Sequence, residues 1–395
     1  MDDSALSLRA ESEQGADGGA LLGNTAKSSS PPSPQAKRAE RYEGLSVARA
    51  WLGRRAKKLR PSEAPGDLYR TFDCRFVRRA MTVGVHFAAE FQGAHYSNLA
   101  TCGSVWACPV CCALIQQRRR EELSKLISWA YANGSSPCMV TFTFPHTGFD
   151  SLEDLKVKQR EAFKLLRGGK AWANFKSRNQ FSGLVRSLEV THGQNGWHPH
   201  THEIWLIGAL SPFERASFLE DLKERWYSVC HKVGLVDHDK RLAFMLHAVD
   251  VQFDVQESDY LAKQDSSRQW GADREVATAS SKAGRAKGVH PHEFLIRRSG
   301  GDMGRYLEYI DAMKGSRQLF WSAGLKSAVG VDDVSDEVLA DESREPADLL
   351  GALSADQWDL VRRRRMRAQL LEVAESGDWG QVLSFLVSLG WNPYS

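Results

Sequence analysis

Three histidines at every second position, His198, His200 and His202 in HPHTHEIWLIG, give this chain of 395 residues its clearest chemical signal. Side chains alternate along a strand, so the three imidazoles share one face, which Ile204 and Leu206 carry on into an apolar core. Neighbouring imidazoles at the end of a buried strand make a chelate for a divalent cation. The bland alternative is a row of surface histidines, and a period of two running into an apolar strand argues against it. Upstream, GLVRSLEVT (183–191) and the turn HGQNGW read as the other arm of an antiparallel hairpin. Regular closure sets Glu189 across from His200 and adds a carboxylate suited to hard Mg²⁺ or Mn²⁺. A slip of one residue would turn Glu189 to the other face.

A second group is Cys102-x5-Cys108-x2-Cys111. The CPVC spacing is that of a structural zinc knuckle, with three thiolates and room for a fourth, for which Cys74 is the candidate. Cys112 adjoins Cys111 and is expected to point away. A catalytic dithiol is the competing reading, and the extra cysteine and the lack of a thioredoxin-like context favour Zn²⁺. A third group is QESDYLAKQ, where Tyr260 and Lys263 fall on one side of a predicted helix with Glu257 one turn earlier. A phenol attacking a phosphodiester must lose its proton, which a nearby cation or base assists. By itself the Y-x-x-K spacing is common on solvated helix faces.

The elements that must hold these groups alternate in type. Residues 1–65, rich in Ser, Pro, Gly and charge, read as a disordered tail with at most a short helix near 44–59. Paired strands are expected over 75–100, a basic amphipathic helix over 113–131, a strand at 138–144 and a helix over 151–177. The hairpin follows, then a helix over 211–232, a strand over 243–253 and helices near 256–264 and 302–313. Strand, helix, hairpin, helix, strand is the order of an α+β domain on a mostly antiparallel sheet. The expected units are 66–135 with the cysteines, 136–328 with the histidines and tyrosine, an acidic linker over 329–346 and a helical C-terminal appendage over 347–395.

Composition narrows the classes. Hydrophobic residues make up 42% and charged residues 26%, as in ordinary globular proteins. No apolar run reaches the roughly 20 residues of a membrane span, and the N-terminal residues lack the apolar core of a signal peptide, so a cytoplasmic protein with no membrane partner is expected. The seven cysteines crowd together, which suits metal better than long-range disulfides. A net charge of +3 is too small to announce nucleic-acid binding, although Arg118 to Arg120 and Arg362 to Arg365 are local basic runs. Taken alone, each run reads as a solvated helix face.

Together the segments resemble plasmid rolling-circle replication initiators, the Rep proteins of the HUH endonuclease superfamily. CGSVWACPVCCALIQQRRREEL is similar to their cysteine-rich segment and the helix after it. MVTFTF resembles their first strand motif, LEVTHGQNGWHPHTHEIWLI their histidine motif, DYLAKQ their tyrosine motif and GRYLEYIDAMKGSRQLFWSAGLK their closing segment. The resemblance spans roughly 70–328. It implies a palm-like antiparallel sheet flanked by helices, carrying a zinc-knuckle insertion, and a metal-dependent nick that leaves a 5′-phosphotyrosine and a free 3′-hydroxyl. In that scheme His200 and His202 are the paired ligands, with His198 or Glu189 completing the set. Tyr260 is the nucleophile and Lys263 the accompanying base or cation. Thr201 stands where the family usually has a bulky apolar residue, facing away from the metal.

Single-stranded or hairpin origin DNA is the expected substrate, gripped by Arg118, Arg119, Trp270, Arg274, Arg297 and Arg298 through phosphate contact and stacking. A host helicase and polymerase are the expected partners. With one tyrosine, ending a round calls for water activated by Glu257 or for a second subunit, and so for a homodimer. The rival readings are a relaxase or transposase of the same superfamily, and a zinc-containing DNA-binding regulator without catalysis.

Overall fold

The computed structural model describes residues 33–90, 93–256, 288–341 and 347–393. It begins with α1 (Pro34–Leu59) and the single turn α2 (Pro65–Leu68), then β1 (Val83–Ala88) and β2 (Gly93–Tyr96). Next come α3 (Pro109–Ala132), β3 (Ser136–Phe142), α4 (Leu152–Leu166) and α5 (Gly169–Arg178). The hairpin β4 (Gly183–Gly193) and β5 (Gly196–Ile207) leads to α6 (Pro212–Lys232), α7 (Arg241–His247) and β6 (Val249–Gln252). Later elements are α8 (Glu293–Arg297), α9 (Asp302–Met313), β7 (Leu319–Trp321), α10 (Leu325–Val329) and α11 (Asp336–Leu339). The last are β8 (Asp348–Leu353), α12 (Ala355–Arg363), α13 (Arg367–Ala374) and α14 (Trp379–Ser388).

The fold is α+β. Five antiparallel strands in the order β6-β3-β5-β4-β7 form the main sheet, with the long hairpin off-centre within it. Gln194 and Asn195 close the hairpin, and Gly196 follows at φ +82, where a Cβ would stand 2.8 Å from the Thr147 carbonyl oxygen. Only glycine fits there, which pins the register. One face of the sheet carries Val140, Phe142 and Trp205 against Phe163 of α4, Phe175 of α5 and Phe218 and Trp226 of α6. On the other, Met139, Val185, Ile204 and Leu206 meet Leu123, Leu126 and Ile127 of α3. Burying both faces accounts for the apolar run at the end of β5, where alternation gives way to IWLI. Among the described residues no helix is long and apolar enough to cross a membrane.

Several expected boundaries are corrected. The tail of residues 1–65 gives way at Pro34 to the 26-residue α1, whose Tyr42, Leu45, Ala48, Leu52 and Ala56 are buried. Those apolar positions recur every three or four residues, a helical stripe that the surrounding charge hides from a composition average. The strand expected over 243–253 is instead helix α7 followed by the four residues of β6. Short apolar runs such as AFMLHAV do not distinguish helix from strand by periodicity. The helix expected over 151–177 breaks at Gly168-Gly169, where Gly169 takes φ +70. The acidic stretch 329–346 is no free linker over its described part, since Leu339 and Ala340 are buried and Asp336 pairs with Arg119 of α3. The C-terminal segment is no separate appendage either: β8 completes a second sheet, β2-β1-β8, and Trp358, Val361 and Arg367 are buried in the common core.

Candidate metal centres

On β5 the alternation holds. His198, His200 and His202 are partly exposed, while the alternate residues Pro199, Thr201 and Glu203 are buried on the opposite face. The hairpin register pairs Glu189 with His200 and Ser187 with His202, as the regular closure predicts. On the other side β3 sets Thr141 beside His202. Glu189 Oε2 lies 3.3 Å from His200 Nε2 and 3.4 Å from His202 Nε2. These ligand atoms lie within 4.8 Å of one another.

The far nitrogens decide what the near ones can do. His200 Nδ1 lies 3.2 Å from the His198 carbonyl oxygen, which can only accept, so this nitrogen carries the proton. His202 Nδ1 bonds Thr141 Oγ1 at 3.0 Å. His200 Nε2 then presents a lone pair toward the carboxylate, an arrangement that repels unless a cation or a proton lies between them. Glu189 Oε1 is buried without a hydrogen-bond partner, and an orphaned carboxylate oxygen of this kind is costly unless an ion satisfies it. The donor set fits a small divalent cation, whose adjacent ligands at about 2.1 Å stand about 3 Å apart. Burial pushes the Glu189 carboxyl up, but His200 and His202 outweigh it and hold it well below the usual carboxylate range. Burial disfavours charge on His200 too, and Glu189 outweighs that and raises its pKa.

His198 stands beside this trio rather than in it. Its Nε2 meets Thr143 Oγ1, and its ring stacks between His200 and His146, each 4.8 Å away by centroid. Burial and the charges of His200 and His146 push it down to about 3. Thr141, Thr143 and His146 are the site residues that sequence reasoning missed. TFTFPH does alternate, but only the β3–β5 pairing says which threonine meets which histidine.

The cysteines gather as expected. The sulfur atoms of Cys74, Cys102, Cys108 and Cys111 form one buried group, with separations of 3.5 Å for Cys74–Cys111 and 3.7 Å for Cys74–Cys108 and Cys102–Cys111. A tetrahedral ion with arms of about 2.3 Å has sulfur edges of about 3.8 Å, so the group fits Zn²⁺. Cys112 turns aside and accepts from Gln116 Nε2 at 3.0 Å. Hydrogen bonds from Cys108, Cys111 and Cys74 hold the Cys102 thiol well below its ordinary value. Buried Arg367 reaches the carbonyl of Arg75 and the hydroxyl of Ser46, and it feels the charge of Cys74 and Cys108. The knuckle also clamps its surroundings: Tyr306 Oη of α9 donates to the Ala107 carbonyl, and Trp106 Nε1 to that of Ser316. Tyr306 and Tyr309 are therefore core residues, both fully buried.

Glu257, Tyr260, Lys263, Trp270 and Arg274 lie outside the described residues. Their flanks bracket the histidine site. Val255 packs in the same cluster as Ile204 and Leu206, and Val289 pairs with His192, three residues beyond Glu189.

No family model and no solved structure matches the chain. It is 28% identical over 350 residues to a Streptomyces lividans protein named Protein rep, covering 71% of this chain and 76% of that one. The chain is Rep-like. A Streptomyces cyanogenus protein named neomycin resistance protein is 36% identical over 159 residues, 33% of this chain and 36% of that protein. In the Rep-like chain, four of the arginines expected on DNA are engaged internally. Arg118 bonds the carbonyls of Val338 and Asp341, and Arg119 bonds Glu122 and Asp336. Arg297 holds the buried carboxylate of Asp302, and Arg298 reaches Glu43 at 2.7 Å.

Proposed function

We propose that this Rep-like protein is a plasmid replication initiator that nicks one strand at its origin by tyrosine transesterification. The observation that carries the reading is the convergence of Glu189, His200 and His202 with one carboxylate oxygen unsatisfied, in a chain similar to a Rep protein. Glu189, His200 and His202 would hold Mg²⁺ or Mn²⁺, which when bound supplies charge to polarise the scissile phosphate. The His198 carbonyl fixes the His200 tautomer with its Nε2 lone pair directed inward, and Thr141 orients the His202 ring. Tyr260 attacks phosphorus: the Oη–P bond forms as the P–O3′ bond breaks, giving a 5′-phosphotyrosine. The phenol proton passes to a base, for which Lys263 in its neutral form and Glu257 are the candidates; the departing O3′ takes a proton from solvent, and the resulting 3′-hydroxyl primes a host polymerase. Cys74, Cys102, Cys108 and Cys111 would hold a structural Zn²⁺, which would tie α3 to the core. A regulator without catalysis would leave the trio of Glu189, His200 and His202 without a use.

The test mixes purified protein, single-stranded DNA of its own replicon and Mn²⁺, then reads covalent adducts by denaturing gel and mass spectrometry. An adduct on Tyr260, absent with EDTA, in Tyr260→Phe and in His200→Ala, is expected. DNA that binds but is never cut would overturn the nicking mechanism.

A further inference from the structure

Away from the histidines, one face of α1 and the C-terminal end of α12 enclose a groove of about 450 Å³. Six cations line it: Arg49, Arg54, Lys57, Arg362, Arg363 and Arg365. No acidic side chain lines it among the described residues. The carboxylates within ion-pair reach are Asp359, paired with Arg362 and Arg363, and Glu43, 3.7 Å from Arg365. Ser46 and Ala50 of α1 also line the groove, while Gly53 is packed against the Phe72 ring, which a Cβ there would meet at 2.8 Å. Arg54, Lys57, Arg363 and Arg365 are exposed.

The groove's aromatic residues are already in use. Arg49 lies 3.8 Å from the centroid of Phe72 and 3.6 Å from that of Phe76, and Arg362 lies 4.5 Å from Phe76. Rings capped by guanidinium groups cannot stack on bases, as single-strand recognition requires. What remains is a concave row of positive charge suited to phosphates. Arg49 and Lys57 stand eight residues apart on α1, about 12 Å along its axis, a length over which a duplex carries about seven negative charges.

We infer that this groove is a second nucleic-acid site, one that holds the phosphate backbone of duplex DNA without reading its sequence. The choice of DNA among polyanions rests on the replication reading. The groove would keep the double-stranded origin in place while a single strand is presented to the histidines. Arg365 makes it separable from stability. It sits at φ +61 just past the end of α12, where the Met366 amide donates back to the Val361 carbonyl, a helix-ending position at which glycine is unstrained.

The test uses the full chain in two variants, the triple Arg54→Ala/Lys57→Ala/Arg363→Ala and the single Arg365→Gly. Alanine suits helix surfaces, and glycine suits the left-handed position, so both variants are expected to fold with an undiminished thermal midpoint. Anisotropy titrations follow a short labelled duplex across a range of salt. The triple variant is expected to lose at least about tenfold in affinity, and its log–log salt slope to shrink by up to about 0.9 per cation removed. Arg365→Gly should show a smaller loss of the same kind, and both should nick a single strand at the wild-type rate. Unchanged duplex affinity and slope would overturn the inference. Loss of binding to phosphatidylserine vesicles with unchanged duplex affinity would overturn it in favour of a membrane. If the wild-type protein never nicks yet the variants still lose duplex binding, the groove stands and the nicking mechanism falls.

Discussion

The cysteine group and the histidine group differ in a way that separates holding a fold from doing chemistry. Four sulfur atoms enclose the first on every side, and all four residues are at most 4% exposed. Three ligands from adjacent strands form the second, where the His202 side chain is 23% exposed. A closed tetrahedral set stabilises the fold, whereas an open set leaves positions for a substrate oxygen. Their supports differ accordingly. The cysteines come from separate parts of the chain, Cys74 before β1, Cys102 after β2, and Cys108 and Cys111 at the start of α3, so an ion there joins pieces. The histidine site sits on one preformed hairpin and needs no ion to assemble it.

Removing one partner from each site should therefore break the comparison in opposite directions. The largest effect is expected for Cys108→Ser, or for stripping zinc with a strong chelator. Structural zinc binding contributes about 10 kcal/mol, comparable to the whole stability of a domain. The cooperative thermal transition should disappear, which near-ultraviolet circular dichroism would show. His200→Ala should abolish adduct formation while the thermal midpoint moves by only a few degrees. Equal destabilisation by both substitutions would erase the distinction. Thr141→Val removes the partner of His202 Nδ1 and should weaken Mn²⁺ binding by about 10- to 100-fold, measured by calorimetric titration with the fold intact.

The smallest effect is on pH dependence. Glu189 raises the His200 pKa, so a proton competes with the metal. Apparent Mn²⁺ affinity should be flat above that raised value and fall by about tenfold per pH unit below it, as one proton must leave. His198, held down to about 3, stays neutral throughout and adds nothing to the slope. Affinity that rose on acidification would contradict the assigned tautomers.

Much of the site was legible because it is local. A period of two in HPHTH, a two-residue turn and an adjacent strand determine a hairpin register that needs no other element, and Glu189 duly faces His200. The CPVC spacing places Cys108 and Cys111 on one helix start in the same way. What was hidden depends on partners far along the chain. The buried stripe of α1 means something only once α3, α8 and α13 pack around it, and so the segment read as a tail. Residues 348–353 look like part of an appendage until β1 supplies their hydrogen bonds. The partners of Arg118, Arg119, Arg297 and Arg298, which are the Val338 and Asp341 carbonyls, Glu122 and Asp336, Asp302, and Glu43, lie far along the chain or across turns that the sequence does not reveal.

The sequence alone determined the residue types, their alternation and their short-range register, and with them the two candidate metal-binding groups, the α+β class and the Rep-like resemblance. Tertiary structure decided which charges are already satisfied and which remain open. It brought Thr141 and Thr143 to the histidines, sealed the cysteines among buried arginines, and joined the two ends of the described chain into one basic groove. The physical reason is range: backbone periodicity acts over a few residues, whereas burial and charge pairing depend on distances that only the folded chain determines.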